Sequence, residues 1–102
     1  MRYVFPAIFH KSEDGGYWLE FPDVKGAVTQ GDTMYEAIMM AEDVLSLALV
    51  CAEDEGREIP VPSLHTDIAT EKDDFIEFIK ADTDVYRETL KKAEADKPKK
   101  VA

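Results

Sequence analysis

This 102-residue chain has one cysteine, two histidines and few basic side chains, and each scarcity removes a class of protein. With Cys51 alone no internal disulfide can form, so the expected setting is a reducing compartment, the cytoplasm. His10 and His65 are far apart, and no Cys-x-x-Cys or His-x-x-x-His spacing occurs, so no zinc site and no other cofactor is expected. Long apolar runs are missing too. The longest, Leu47 to Ala52, falls well short of the ~20 residues a membrane-spanning helix needs. Arg2 is followed by mixed aromatic and aliphatic residues rather than a signal-peptide core, so a soluble protein is expected. Lys and Arg total 12 against 22 Asp and Glu. The imbalance is local: residues 1–86 carry 19 acidic and 6 basic groups, and residues 87–102 carry 3 and 6. A body with a net charge of −13 repels phosphate backbones and attracts a basic partner.

What is present reads as one α+β domain. "RYVFPAIFH" is rich in aromatic and β-branched residues and predicts a strand that is apolar on both faces, hence central. Pro6 cannot donate to a ladder, so a bulge or an outward-facing N–H side is expected there. "KSEDGG" is a turn, with Gly15 and Gly16 free to take positive φ. "YWLEF" alternates as a second strand, "PDVKG" bends, and "AVTQ" is a short third, giving an antiparallel meander.

Thr33 with Glu36 is a capping box, and Gly56 stands where a helix-ending glycine belongs. Between them Ala37, Ile38, Ala41, Leu45, Ala48, Leu49 and Ala52 form a core stripe at helical spacing. A second row, Met40, Val44, Leu47 and Cys51, makes the apolar face wider than one sheet needs and is expected to meet another subunit or partner. "IPVPS" is extended by its prolines, and "DDFIEFIKAD" predicts a fourth strand. A strand reached through a long helix can lie parallel to an earlier one. A helix from Thr83, carrying Val85, Tyr86 and Leu90, then runs into a Lys/Pro tail expected to be mobile.

The many carboxylates are the obvious place to look for chemistry. Glu13, Asp14, Glu20, Asp23 and Asp32 crowd the hairpin. A two-metal nuclease needs carboxylates from several elements converging on ions about 4 Å apart. Here only Glu20 and Glu77 sit inside predicted strands. Asp14 and Asp23 flank turns, where Asp is favoured for turn chemistry, and Asp32 complements a helix dipole. Cys51 lies late in an apolar helix before Glu53, Asp54 and Glu55, where a thiolate is disfavoured. No phosphate-cradling Gly-x-x-x-x-Gly-Lys or Gly-x-Ser-x-Gly occurs. No catalytic constellation is expected, and the protein is read as a non-enzyme.

The order of residues adds to this. Gly15, Gly16, Tyr17 and Trp18, then Phe21, Pro22 and Asp23, Gly26, Thr29, Gly31, Asp32 and Thr33, and finally Glu36, Ala37 and Ala41 form a long ordered motif. It resembles the signature of the HicB family of antitoxins, and the resemblance runs from Tyr3 to about Tyr86. Lys25 stands where a proline is common before the hairpin-bend glycine, and Ala27 follows that glycine. The resemblance implies a partial ribonuclease-H-like β-β-β-α-β unit without that fold's catalytic acids, its fourth strand beside the first. It also implies a partner: a small basic HicA-like toxin that cleaves mRNA, neutralised by direct binding over its active site.

On this reading residues 1–86 are the antitoxin domain, and 87–102 are a basic helix end and flexible tail. Family members usually continue into a C-terminal DNA-binding domain, so the tail is read as the linker to one, and DNA is a partner only through such a domain. The expected toxin-binding set is Asp14, Trp18, Glu20, Asp23 and Asp32. The expected interface of a homodimer or higher oligomer is Met40, Leu47 and Cys51. Two rival readings stand beside it: a residual hydrolase holding Mg²⁺ on Glu20, Asp23 and Glu77, and a stand-alone oligomerisation module.

Overall fold

The computed structural model describes residues 1–95. The chain folds into β1 (Arg2–Lys11), β2 (Tyr17–Glu20), β3 (Val28–Gly31), α1 (Met34–Asp54), β4 (Phe75–Asp82) and α2 (Thr83–Ala95). The strands form one sheet in the order β3-β2-β1-β4. The residues of the expected mobile tail from 96 onward lie outside those described.

The first hairpin turns on backbone bonds between Ser12 and Gly16, with Gly15 at φ +91°. Gly16 serves a different need from the positive φ expected of it: a Cβ there would sit 2.9 Å from the Gly31 carbonyl oxygen, so its bareness lets β2 meet β3. Register places Phe9 opposite Leu19 and Trp18 opposite Gln30. Phe5, Ala7, Phe9, Leu19 and Ile79 therefore share the face that α1 covers, where Ala37, Ala41, Leu45 and Leu49 complete the core. The alanines let the helix axis approach the sheet closely. Each fully buried large apolar side chain contributes roughly 1.5–3 kcal/mol.

β1 is central, as its doubly apolar pattern predicts. Its pairing with β4 runs unbroken from Arg2↔Asp82 to Phe9↔Phe75, so Pro6 makes no bulge. The β1–β2 ladder begins at Ile8↔Glu20, so at Pro6 the strand has a neighbour on one side only, and a missing N–H is tolerated.

β4 pairs with β1 antiparallel, not parallel. The reason is the connection. α1 carries the chain about 31 Å down the sheet. Residues 55–74 then carry it back up before β4 descends. That return segment is anchored halfway, where the Asp23 carboxylate accepts the Ser63 N–H at 2.8 Å and the Ser63 hydroxyl. It passes over the sheet face turned away from α1, where His65 meets Phe78 edge-on at 6.2 Å.

Thr33 caps α1 by accepting the Glu36 N–H at 3.1 Å. The Glu36 carboxylate returns to the Asp32 N–H, one residue earlier than the usual box. At the other end Arg57 N–H reaches the Ala52 carbonyl and Gly56 N–H the Glu53 carbonyl, a Schellman ending. α2 begins at Thr83 as expected, and its cap is Asp82, whose carboxylate accepts the N–H groups of Asp84 and Val85. The helix runs unbroken through the change of charge at residue 86.

Candidate functional site

Alternation along β1 and β2 puts His10, Trp18 and Glu20 on the sheet face away from α1, and Asp74, the residue before β4, lies beside them. His10 stacks on Trp18 with ring centroids 3.8 Å apart and planes 16° from parallel. Its Nε2 lies 2.8 Å from a Glu20 oxygen and its Nδ1 3.0 Å from an Asp74 oxygen. Both ring nitrogens thus face a carboxylate oxygen. Trp18 remains 38% exposed in this stack.

Of the five residues expected to bind a toxin, Trp18 and Glu20 share one sheet face, and Asp14 and Asp32 both lie beside Gly16. Trp18 and Glu20 stand together, with Glu20 turned onto His10. Asp14 accepts the Gly16 N–H at 3.2 Å and closes the hairpin turn. Asp23 is spent on Ser63. Asp32 stands at the start of α1, exposed. The carboxylates of the rival metal reading diverge. Glu20 shares a face with Ile8 and Ile76, Glu77 is across from Ala7 on the opposite face, and Asp23 is in the β2–β3 bend. Among the described residues no group of three or more His, Cys, Asp or Glu is placed to hold a metal ion.

A second polar cluster was not foreseen from the sequence. Glu53, in the last turn of α1, accepts from the Tyr3 hydroxyl at 2.7 Å, the Thr83 hydroxyl at 3.1 Å and the Arg87 guanidinium at 3.0 Å. Burial pushes the Glu53 carboxyl up, but the three donors together outweigh it and hold it below its ordinary value. The same contact raises the Tyr3 hydroxyl. Arg87 also pairs with Asp54 at 2.8 Å, and the amino group of Met1 with Asp84 at 2.8 Å. These bonds fasten α2 to α1 and to the start of β1. Beside them a groove of about 600 Å³ opens between the two helices and the sheet, lined by Tyr3, Glu42, Ser46, Val85, Tyr86 and Thr89.

The residues expected at an oligomer interface divide. Met40 and Leu47 are exposed on the outer flank of α1, and Cys51 is half-buried. Val50 and Ser46, which the expected stripe omitted, are buried. They face the side of α1 that meets α2, where Tyr86 is raised by its burial and by Asp43.

Residues 5–100 match the model of the HicB-like antitoxin of bacterial toxin–antitoxin systems. The chain belongs to that family. Antitoxin HicB 1 of Photorhabdus laumondii is 44% identical over 62 residues, which are 61% of this chain and 39% of that protein. The chain spans between 39% and 44% of the length of the HicB antitoxins it matches in this way. Among solved structures, a chain of a toxin–antitoxin complex from Streptococcus pneumoniae superposes with a TM-score of 0.76 at 20% identity, over 96% of this chain and 100% of that one. A chain of the HicA3 and HicB3 toxin–antitoxin complex superposes at 0.63 and 23% identity, over 78% and 99%. At these identities the superpositions speak for the fold. The HicB-like fold is thus the four-stranded sheet and long helix described above, and no helix among the described residues is long and apolar enough to cross a membrane.

Proposed function

We propose that this chain is an antitoxin that neutralises a small, basic, HicA-like mRNA-cleaving toxin by binding it directly and covering its active site. Family membership carries the reading. The charge supports it, since residues 1–86 have 19 acidic and 6 basic groups and so attract a cationic enzyme and speed the encounter. The scatter of Glu20, Asp23 and Glu77 over separate faces weighs against a metal-dependent hydrolase and supports occlusion rather than catalysis, with the cytoplasm as the proposed setting. The domain division at residue 86 and any contact with DNA belong to the same proposal, with DNA bound only through a further C-terminal domain.

Growth tests the reading. Inducing a small basic HicA-like toxin is expected to arrest cells, and co-inducing this chain to restore colony counts. Arrest that persists with the soluble chain present would sink the proposal.

A further inference from the structure

We propose that the flank of α2 turned away from α1, with the groove beside it, is the seat of the same helix from a second copy of this chain. The inference does not rest on the antitoxin reading. α2 leaves the domain as it runs: Thr83 is fully buried, Tyr86 and Arg87 are half-buried, and every residue from Glu88 to Ala95 is exposed. Among the described residues, no hydrogen bond or ion pair beyond Arg87 ties the helix to another element. Eight such residues, about 12 Å of helix, are marginal in water without packing. Val85, Glu88, Thr89 and Lys92 share one arc of roughly 100° on the helix. Tyr86, which turns to Asp43 of α1, lies outside that arc, so this flank is separate from the α1–α2 contact.

The groove of about 600 Å³ opens along the same flank, lined by Val4 at 51% exposure, Val85 at 61% and the exposed Thr89. Charge selects the occupant. Arg2 and Lys80 line the groove with Glu42 and Asp82, and Lys91 and Lys92 stand on the helix beside Glu88. That local excess of cations makes this a poor seat for a strongly cationic protein, although residues 1–86 together are acidic. A second copy matches it, because α2 is acidic early, at Asp84 and Glu88, and basic late, at Lys91 and Lys92. Laid antiparallel about a two-fold axis, the partner's helix brings its Lys92 within reach of Glu88 and its Glu88 within reach of Lys92. The same arrangement lays Val85 and Thr89 of the two copies together over the groove. It also sets the partner's cationic helix end near the acidic start of α2. Within one copy Lys91 reaches Glu88 only at 3.9 Å with both side chains in water, so that pair leaves Glu88 open to a second cation. The hairpin that carries Trp18 stands at the opposite end of β1 from Asp82, so the pairing leaves it uncovered.

The test is sedimentation equilibrium on the full chain, and the wild type is expected to sediment at twice its 11.5 kDa mass. Val85→Asp with Thr89→Asp changes two exposed positions, so it is expected to keep the wild-type circular dichroism spectrum. Its dimer dissociation constant is expected to rise at least about 30-fold. Glu88→Lys and Lys92→Glu, each alone, set like charges against each other across the axis and are expected to weaken the dimer about 10-fold. Mixed one to one, the two reversed chains complement each other at both contacts, and their heterodimer is expected within about threefold of wild type. Pairing inside one helix cannot produce that rescue, because each chain then carries two charges of the same sign. A wild-type chain still monomeric at about 100 μM overturns the proposal. So does a dimer that the Val85 and Thr89 changes leave intact, or one that only Leu47→Lys dissolves. Reversed chains that associate as weakly mixed as alone contradict the antiparallel pairing and overturn it too.

Discussion

Gly31→Ala is expected to cost at least about 3 kcal/mol, the upper end of what overpacking usually costs. Gly31 closes β3, and α1 starts three residues later with its first turn folded back over the strand end. A Cβ at Gly31 would sit 2.4 Å from the Ala37 nitrogen, 2.7 Å from its Cα and 2.9 Å from the Glu36 carbonyl carbon. All three are backbone atoms, so no rotamer change relieves the clash. The helix start must lift, and with it Ala37 and Ala41, both fully buried against the sheet. Urea unfolding followed by circular dichroism measures the effect. A midpoint within error of wild type would show that α1 does not approach β3 as described.

The second large effect is expected at Glu53. Replacing it with alanine leaves the Tyr3 hydroxyl, the Thr83 hydroxyl and part of the Arg87 guanidinium without an acceptor where three elements meet. The expected loss is about 2 kcal/mol, the range for a partly buried charged acceptor whose donors lose their partner. Arg87 keeps Asp54, so α2 is expected to loosen rather than detach. Glu53→Gln supplies the pH test. The folded carboxyl lies below its ordinary value of 4.5, so its stabilising contribution is complete above that value and disappears as pH falls through the depressed one. The stability gap between wild type and Glu53→Gln is therefore expected to be constant above about pH 5.5 and to shrink on acidification below pH 4.5. A gap that widens toward low pH would contradict the assignment.

Local chemistry made most of the fold legible. The capping residue Thr33, the terminal Gly56 and the period of alanines mark α1 without any long-range information. The turn reading of Asp14 matches its bond to Gly16. What sequence alone did not disclose depends on residues brought together from far apart. The direction of β4 follows from how residues 55–74 climb back along the sheet, and their anchor joins residues 40 positions apart in Asp23 and Ser63. Glu53 reads as one acid among several at a helix end, yet its partners Tyr3 and Thr83 lie 50 and 30 positions away. Gly31 appears in the sequence motif without a reason, and the closeness of the Ala37 backbone supplies one. His10 looked isolated because its neighbours are fixed by strand register: Trp18 lies across the ladder, Glu20 beside it, and Asp74 enters only with β4.

Inhibition of RNA cleavage tests the central claim most directly. A purified HicA-like toxin would be given a labelled RNA, and the purified chain titrated in. Direct occlusion predicts that cleavage falls in proportion to added chain and stops near stoichiometric amounts, without magnesium dependence and without degradation of the basic protein. Cleavage that continues undiminished in excess chain would contradict the account.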